Sequence, residues 1–225
     1  MGVEWYDMIA RRNGGYRGRA IFRIEGRSAE DVFEEELIRM LPNFRSVLDA
    51  GCGHGEFTIR MSRYASKITG FDNSIEMIRI AQNLLESSRA ENVEFVHATT
   101  KTGLPFADGQ FDLIYDRRGP TSIINHSRIL AKNGIIFGIH NNVDSARERL
   151  LMNGYKDIEI IEYNEAIYYF PNEWEFAVFL SDTPGNPDYT LPEHGEDLQK
   201  KLSEHRINGK IGVKELKYIW RAVKP

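Results

Sequence analysis

The sequence has almost no cysteine and no long apolar run, and both absences narrow the possible classes of protein. Its single cysteine, Cys52, excludes an intrachain disulfide and a cysteine-cluster zinc site, and no metal is expected. No run of about 18 consecutive apolar residues is present, which argues against a membrane span. The first residues also lack the apolar core of a secretory signal peptide. We therefore expect a cytoplasmic protein that does not enter a membrane.

The net charge of the chain is also small. The chain has 29 basic and 33 acidic residues, which gives a formal net charge of −4. That balance argues against a protein whose main task is to grip nucleic acid, because phosphate binding needs a basic surface. A length of 225 residues with 41% apolar residues suits one α/β domain with a sizeable core.

The charges are unevenly distributed along the chain. Residues 11–27 contain six arginines and one acid, whereas residues 151–200 contain eleven acids and two lysines. Two interpretations remain open. Both segments are solvated surface, or they face each other or a substrate across a cleft.

Short apolar runs alternate with helical patterns over the first 160 residues. Ser28 and Ser74 are predicted to cap the first and third helices. Strands are predicted over 46–50, 67–71, 92–96, 111–115, 135–140, 158–163 and 216–223. Helices are predicted over 28–41, 57–64, 74–85, 121–131, 146–152, 172–181 and 193–205, with a turn at 132–134.

This alternation predicts a parallel sheet that helices cover on both faces, because the strands are continuous apolar runs. We expect a single domain over 1–225. Within it, residues 1–27 are a candidate N-terminal flap, and residues 164–213 are a helical insertion, or lid, before the last strand.

A glycine turn follows the first buried strand, within residues 47–55 (VLDAGCGHG). Its glycines at 51, 53 and 55 permit positive φ and let a ligand lie against bare backbone. The next helix offers free N–H groups to an anion. Asp72 ends the following strand, where a carboxylate can accept both hydroxyls of a ribose.

The glycine spacing disfavours a dinucleotide. The dinucleotide-binding fingerprint G-x-G-x-x-G needs glycine at position 56, where this chain has Glu56. Asp49, two residues before the first glycine, can instead meet a ligand ammonium group. A ligand with an amino acid end and an adenosine end fits these features best. A dinucleotide enzyme and a turn that only shapes the fold remain as alternatives.

Four segments together resemble class I S-adenosylmethionine-dependent methyltransferases. They occur in the family's order and cover about residues 45–140. They are residues 47–58 (VLDAGCGHGEFT), 71–78 (FDNSIEMI), 103–114 (GLPFADGQFDLI) and 130–137 (LAKNGIIF). The resemblance implies a doubly wound, Rossmann-like sheet of seven mostly parallel strands with an antiparallel last strand. It also implies methyl transfer by in-line displacement, with S-adenosylmethionine as cofactor.

The resemblance also implies which residues contact the donor. The backbone at Gly51 and Gly53 would hold the methionine end, Asp72 the ribose, and Met77 or Asn73 would lie beside the adenine. The acid that often contacts the adenine amino group is missing, so Thr99 or Thr100 would serve. The full expected set is Asp49, Gly51, Cys52, Gly53, Asp72, Asn73, Met77, Thr99, Thr100 and Asp116.

The acceptor side is expected after the fourth strand, at the carboxyl edge of the sheet. Asp116 would border the methyl group, and His140 is a candidate base; these two are the predicted catalytic residues. Arg117 and Arg118 either fix an acidic substrate or pair with the acidic segment 151–200. Cys52 is expected to be buried and not a nucleophile.

Aromatic residues are concentrated near the ends of the chain. Tyr6 and Tyr16 are candidates for covering the donor from the N-terminal flap. Nine aromatics in 155–189 indicate either core or a lid over an apolar acceptor pocket, and Trp174, Ala177 and Val178 have the spacing of core residues.

A small organic acceptor is the favoured hypothesis because of the acidic balance. Methylation of RNA or of a protein side chain is the alternative, and a donor-binding protein without transfer activity is a third.

Overall fold

The computed structural model of the protein describes residues 3–183 and 185–225. Residues 1, 2 and 184 lie outside this description, so the predicted N-terminal flap is described from Val3 onward. The α-helices are α1 (Val3–Asn13), α2 (Ala29–Met40), α3 (Glu56–Met61), α4 (Ile75–Ser87), α5 (Asp144–Met152), α6 (Glu173–Ser181) and α7 (Gly195–Glu204). The 3-10 segments are Leu41–Asn43, Ser62–Tyr64, Thr121–Ile129 and Pro192–His194.

The strands form two sheets. They are β1 (Arg23–Glu25), β2 (Val47–Ala50), β3 (Ile68–Asp72), β4 (Val93–His97), β5 (Phe111–Arg117), β6 (Leu130–His140), β7 (Lys156–Tyr163), β8 (Ile167–Phe170), β9 (Arg206–Ile207), β10 (Lys210–Lys214) and β11 (Lys217–Val223). The small sheet has the order β1-β8-β10-β9, and the large sheet has the order β4-β3-β2-β5-β6-β11-β7.

The large sheet has the predicted topology. Strands β4, β3, β2, β5 and β6 pair in parallel with their neighbours. The last strand, β11, runs antiparallel between β6 and β7. The doubly wound seven-stranded sheet with an antiparallel last strand is therefore confirmed.

Alternate residues of the central strands supply two apolar layers, as the pleat of a strand requires. On one face, Val47 packs with α2, where the Phe33 ring stacks on Phe137 with centroids 4.5 Å apart. On the other face, Leu48 packs with Ile123 and with α5. Burial on both faces explains why the strands have no alternation of apolar and polar residues.

The predicted helix caps are present. Ser28 Oγ accepts the Asp31 N–H at 3.2 Å, and Ser74 Oγ accepts the Met77 N–H at 3.1 Å. These bonds satisfy helix N-terminal donors that would otherwise lack partners.

Two predictions in the middle of the chain were wrong. The predicted helix at 121–131 is a 3-10 segment that loses helical dihedrals at His126 and ends at Ile129. Strand β6 then begins at Leu130, which pairs with Phe111, before the register shifts so that Leu113 pairs with Ile135. The predicted turn at 132–134 is therefore a bulge within β6, where Asn133 adopts a φ of +61°.

The insertion is only partly helical. Helices α6 and α7 lie close to their predicted positions, but β8, β9 and β10 accompany them, and β1 from the N-terminal segment completes their sheet. The prediction missed β1 because all three of its residues are exposed and show no apolar alternation. Trp174 is 59% exposed, so its assignment to the core was wrong, whereas Ala177 and Val178 are buried.

Within the described part of the chain, no helix combines the length and the apolar character needed to cross a membrane.

Candidate functional site

A cleft opens at the carboxyl ends of β2, β3 and β5, the edge at which ligands bind in parallel sheets. It brings together nine of the ten residues predicted to contact the donor. The described residues that line it are Tyr6, Tyr16, Asp49, Gly51, Cys52, Gly53, His54, Phe57, Phe71, Asp72, Asn73, Met77, Thr99, Thr100, Arg117, Arg118, Gly119 and Pro120.

The glycine turn shapes the cleft because its backbone adopts left-handed dihedrals. Gly51 has a φ of +80°, and a Cβ there would lie 2.8 Å from both Gly119 Cα and Pro120 Cδ. Gly53 has a φ of +55°, but a Cβ there would meet no atom closer than Tyr16 Cβ at 3.9 Å. Gly51 is thus required by close packing as well as by its dihedrals, whereas Gly53 leaves bare backbone beside open space.

Asp72 is the last residue of β3 and lies beside this turn. Its Oδ2 accepts the Gly53 N–H at 3.0 Å, and its Oδ1 accepts the Ser74 N–H at 2.9 Å. An ionised carboxylate has about four lone-pair sites, so two remain for a ligand. Burial raises the pKa of Asp72, and the backbone N–H donors oppose that shift.

Asp49 lies at the base of the cleft with only 2% of its surface exposed. The Thr58 hydroxyl donates to Asp49 Oδ2 at 2.6 Å. Burial raises the pKa of Asp49 to about 7, because few polar partners replace the water that its charged form has lost. A cationic ligand group in the cleft would favour the ionised form.

Cys52 and the two threonines have the surroundings that the sequence led us to expect. Cys52 is buried, and burial raises the pKa of its thiol, which disfavours the nucleophilic thiolate. Thr99 and Thr100 line the cleft next to the end of β4. The Thr100 hydroxyl bonds to Ser122 Oγ at 2.6 Å, whereas the Thr99 hydroxyl accepts the Lys101 N–H at 3.3 Å and keeps its own O–H for a ligand.

Asp116 is the one predicted donor contact that the structure does not bring to the cleft. It is completely buried, and its Oδ1 accepts the Gly119 N–H at 2.6 Å. Its Oδ2 lies 3.3 Å from His140 Nε2, which also lies 3.2 Å from the Gly119 carbonyl oxygen. The Trp220 indole N–H donates to His140 Nδ1 at 3.1 Å. These contacts fix the loop after β5.

The imidazole of His140 is therefore held from both sides. Its burial disfavours the charged ring, but the Asp116 carboxylate and the Gly119 carbonyl outweigh burial and raise its pKa. Neither Asp116 nor His140 is among the residues that line the cleft.

Comparison with known proteins agrees with this geometry. A family model described as a methyltransferase domain matches residues 47–132, which include the glycine turn and Asp72. A 23S rRNA uracil C5-methyltransferase from Edwardsiella ictaluri is 30% identical over 118 residues, 49% of this chain. A demethylmenaquinone methyltransferase from Porphyromonas gingivalis is 33% identical over 88 residues, 37% of this chain. The matched regions span only 27% and 36% of these two relatives.

Residues 47–132 are therefore similar to a methyltransferase domain, which agrees with the resemblance to class I S-adenosylmethionine-dependent methyltransferases. A crystal structure of a functionally unknown protein from Deinococcus radiodurans covers 99% of this chain and 100% of its own length, with a TM-score of 0.73. Its sequence identity of 24% makes it a likeness of fold alone.

Arg117, the last residue of β5, and Arg118, the next residue, both line the cleft. Both pair with Glu30: Arg117 Nε lies 2.9 Å and Arg118 Nε 3.2 Å from its carboxylate oxygens. Pairing with the acidic segment 151–200 was therefore the wrong alternative. Burial alone would raise the pKa of Glu30, but Arg118, Lys217 and Arg117 lower it to about 2. Arg117 also lies over the Phe57 ring, 4.3 Å from its centroid.

The N-terminal segment contributes Tyr6 and Tyr16 to the lining of the cleft. Helix α1 packs on α4 through Ile9, Ala10 and Met77, and the Tyr6 and Tyr16 rings meet edge to face. The Tyr16 N–H donates to His54 Nδ1 at 3.2 Å, and Arg17 pairs with Glu56 at 2.7 Å. His54 thus fastens this segment to the glycine turn.

All six arginines of residues 11–27 pair with carboxylates of the protein. Two of them, Arg12 and Arg19, bind Asp182, so the basic and acidic segments do face each other there. The pairs are Arg11–Glu76, Arg12–Asp182, Arg17–Glu56, Arg19–Asp182, Arg23–Glu25 and Arg27–Glu35.

The aromatics of residues 155–189 have mainly a packing role. Phe170 and Phe176 form the core of the insertion, together with Tyr168 and Phe179 at its margin. Over the described residues, the lining of the cleft includes none of the nine aromatics.

Phe57 and Phe71 also line the cleft, although no role was predicted for either of them. Phe57 and Phe71 belong to the two motif segments quoted above, so their proximity to the donor motifs was the available indication. Gly119 and Pro120 approach Gly51 only through the tertiary fold.

Proposed function

We propose that this chain binds S-adenosylmethionine in the cleft and transfers its methyl group to a small organic acceptor. The observation that carries the proposal is the arrangement of the Gly51–Gly53 backbone beside the Asp72 carboxylate, on neighbouring strand ends of one cleft. When bound, the donor supplies a methyl group that is already activated by a sulfonium.

The residues of the cleft fit the two ends of this donor. We assign the methionine end to the backbone of Gly51, Cys52 and Gly53, with Asp49 facing the ammonium group. The open space above Gly53 and the raised pKa of Asp49 support that assignment. We assign the ribose to Asp72, whose remaining lone pairs suit two hydroxyl donors.

The adenine end would lie among Asn73, Met77 and Thr99, which line the same cleft on the side of β3 and β4. Thr100 would lie nearby with its hydroxyl on Ser122. Tyr6 and Tyr16 would cover the bound donor and exclude water.

Catalysis by this chain would rest mainly on positioning the acceptor in line with the donor methyl group. Asp116 and His140 support this indirectly, since their contacts with Gly119 fix the loop that carries Arg118. A general base is needed only for an acceptor that is protonated at neutral pH.

A small acceptor is supported by the pairing of all six N-terminal arginines with the protein's own carboxylates. Each pair reduces the positive charge that a phosphate backbone would require. RNA is the second candidate, because one relative is named as a 23S rRNA methyltransferase. The third is donor binding without transfer. We propose the cytoplasm as the location, in keeping with the single cysteine.

The donor site is tested by calorimetric titration of the demethylated product, S-adenosylhomocysteine, into wild type and Asp72→Ala. Loss of the ribose-holding carboxylate should weaken binding by about 1.5–3 kcal/mol, the range for hydrogen bonds to charged groups. Asp108→Ala is the matched control, because Asp108 is 82% exposed and pairs with Arg128 outside the cleft. Asp72→Asn keeps an oxygen for the backbone donors and guards against misfolding. An unchanged affinity in both Asp72 variants would show that the adenosine is placed wrongly.

The acceptor class is tested by incubating the protein and methyl-labelled donor with the small-molecule and RNA fractions of a bacterial extract. Label in the small-molecule fraction supports the proposal. Label in RNA, with binding that weakens steeply as salt rises, would replace it by the second candidate. Donor binding with no label in either fraction would support the third candidate, a protein that binds the donor without transferring its methyl group.

A further inference from the structure

The backbone at Arg118 is in an uncommon conformation for its residue type. Arg118 has a φ of +64°, in the left-handed region. The other non-glycine residues with positive φ in the described part of the chain are Asn133, Asp157 and Asn208, types that tolerate this region. For a long side chain this conformation is unfavourable, and such strain is concentrated at functional sites.

Contacts of the surrounding loop constrain the backbone at Arg118. Its N–H donates to the Ile139 carbonyl at 3.2 Å. A Cβ on the next residue, Gly119, would lie only 2.0 Å from the Ala50 carbonyl oxygen, so the loop is pressed against the end of β2. The fold therefore holds Arg118 at the cleft despite the strain.

The guanidinium of Arg118 has capacity for a further partner. Its Nε pairs with Glu30 at 3.2 Å, while the side chain remains 43% exposed and lines the cleft. A guanidinium carries five N–H donors in a planar fork, so one ion pair leaves most of them for a ligand.

Three cations lie close together around Glu30. Arg117, Arg118 and Lys217 each pair with it, and Lys217 also pairs with Glu215. Of the three cations, Arg118 is the most exposed, at 43% against 25% for Arg117 and 13% for Lys217. Arg118 is therefore the most accessible of the three to a ligand in the cleft.

We propose that the methyl acceptor carries a carboxylate and that Arg118 binds it. This inference rests on the proposed methyl transfer. A single exposed arginine matches one carboxylate, whereas a phosphate monoester brings nearly two negative charges. The planar fork of an arginine also matches the two oxygens of a carboxylate. Arg118 is thus a specificity-determining residue at the acceptor end.

The test divides the small-molecule fraction of a bacterial extract by anion exchange before reaction with labelled donor. We expect the label in products from the anion-exchange-retained fraction, and we expect phosphatase treatment of that fraction beforehand to leave labelling unchanged. Arg118→Asn, in which asparagine tolerates the left-handed backbone, should lower this labelling roughly tenfold or more. Arg118→Lys keeps the charge without the fork and should retain part of it.

Arg221→Asn is the matched control, because Arg221 is 52% exposed and pairs with Glu159 away from the cleft. Its labelling should equal that of wild type. An acceptor in the unretained fraction, loss of labelling after phosphatase, or equal labelling by Arg118→Asn would each overturn the proposal. Failure of the proposed function looks different, since no fraction would then be labelled by any variant, or S-adenosylhomocysteine would not bind.

Discussion

At the scale of single residues, the protonation of Asp49 makes the cleft sensitive to pH. Its carboxyl group is 2% exposed, and its pKa is raised to about 7 from an ordinary value of 3.8. A carboxyl group with a raised pKa holds its proton more tightly in the folded state. Its contribution to stability is therefore complete at pH below about 4 and declines as pH rises toward about 7.

We predict that donor binding releases a proton from Asp49 near neutral pH. The donor's ammonium group favours the ionised carboxylate, so binding lowers the pKa of Asp49. Calorimetry of S-adenosylhomocysteine at a pH of about 6.5, in two buffers of different ionisation enthalpy, measures this release. In Asp49→Asn the buffer dependence should shrink. If wild type and Asp49→Asn depend equally on the buffer, the ammonium group does not face Asp49.

At the scale of elements, the N-terminal segment covers part of the cleft through Tyr6 and Tyr16. It is held by the packing of α1 on α4 and by the bond from the Tyr16 N–H to His54. A bound donor would add contacts to Tyr6 and Tyr16 on its inner side. We predict slower amide hydrogen exchange over residues 3–19 when S-adenosylhomocysteine binds.

Helix α5 is the internal control for that experiment, because none of its residues lines the cleft. Its exchange should be unaffected by the ligand. The variant Ile9→Ala, which removes a buried contact with Met77, should raise exchange in the segment even with ligand present. Equal exchange over residues 3–19 with and without ligand would show that the segment does not cover the donor.

The elements that could be predicted from the sequence are those determined by residues close together in the chain. The glycine turn, the caps at Ser28 and Ser74, and the position of Asp72 all follow from neighbouring residues. Strand β1 could not be predicted, because its three exposed residues become a strand only by pairing with β8. The segment 121–129 likewise has an apolar face, but it loses helical dihedrals at His126.

The same division applies to the candidate site. The candidate donor residues near the ends of β2 and β3 follow from motif spacing, whereas the direction of the Asp116 side chain depends on Gly119 and His140 in the folded loop. Arg117 and Arg118 pair with Glu30, which is 87 residues away from Arg117 in sequence. A partner so distant cannot be identified from local pattern.

At the scale of the whole molecule, Glu215 connects the two sheets. It is 3% exposed and lies between β10 and β11. Its carboxylate accepts the Ala29 N–H of α2 at 2.8 Å and the Tyr168 hydroxyl of the small sheet at 2.5 Å, and it pairs with Lys217 at 3.2 Å. Glu215 thereby joins the small sheet of the insertion to helix α2, which packs on the large sheet.

We predict that Glu215→Ala lowers the free energy of unfolding by about 3–5 kcal/mol, because it leaves buried partners unpaired. Tyr168→Phe, which removes one hydroxyl, should cost about 1 kcal/mol. Urea denaturation followed by circular dichroism measures both. Glu193→Ala is the control, since Glu193 is 73% exposed. A loss of less than about 1 kcal/mol in Glu215→Ala would show that the small sheet is not coupled to the large one through this residue.

Residues 14–25 are one continuous length of backbone. It bonds to His54 of the glycine turn at Tyr16, contacts Asp182 and α6 through Arg19 and Ile21, and enters the small sheet as β1. Detachment of this length would open the side of the cleft that Tyr16 lines and would free one edge of the small sheet at the same time. We therefore expect ligand exchange at the cleft to proceed no faster than the transient release of that edge.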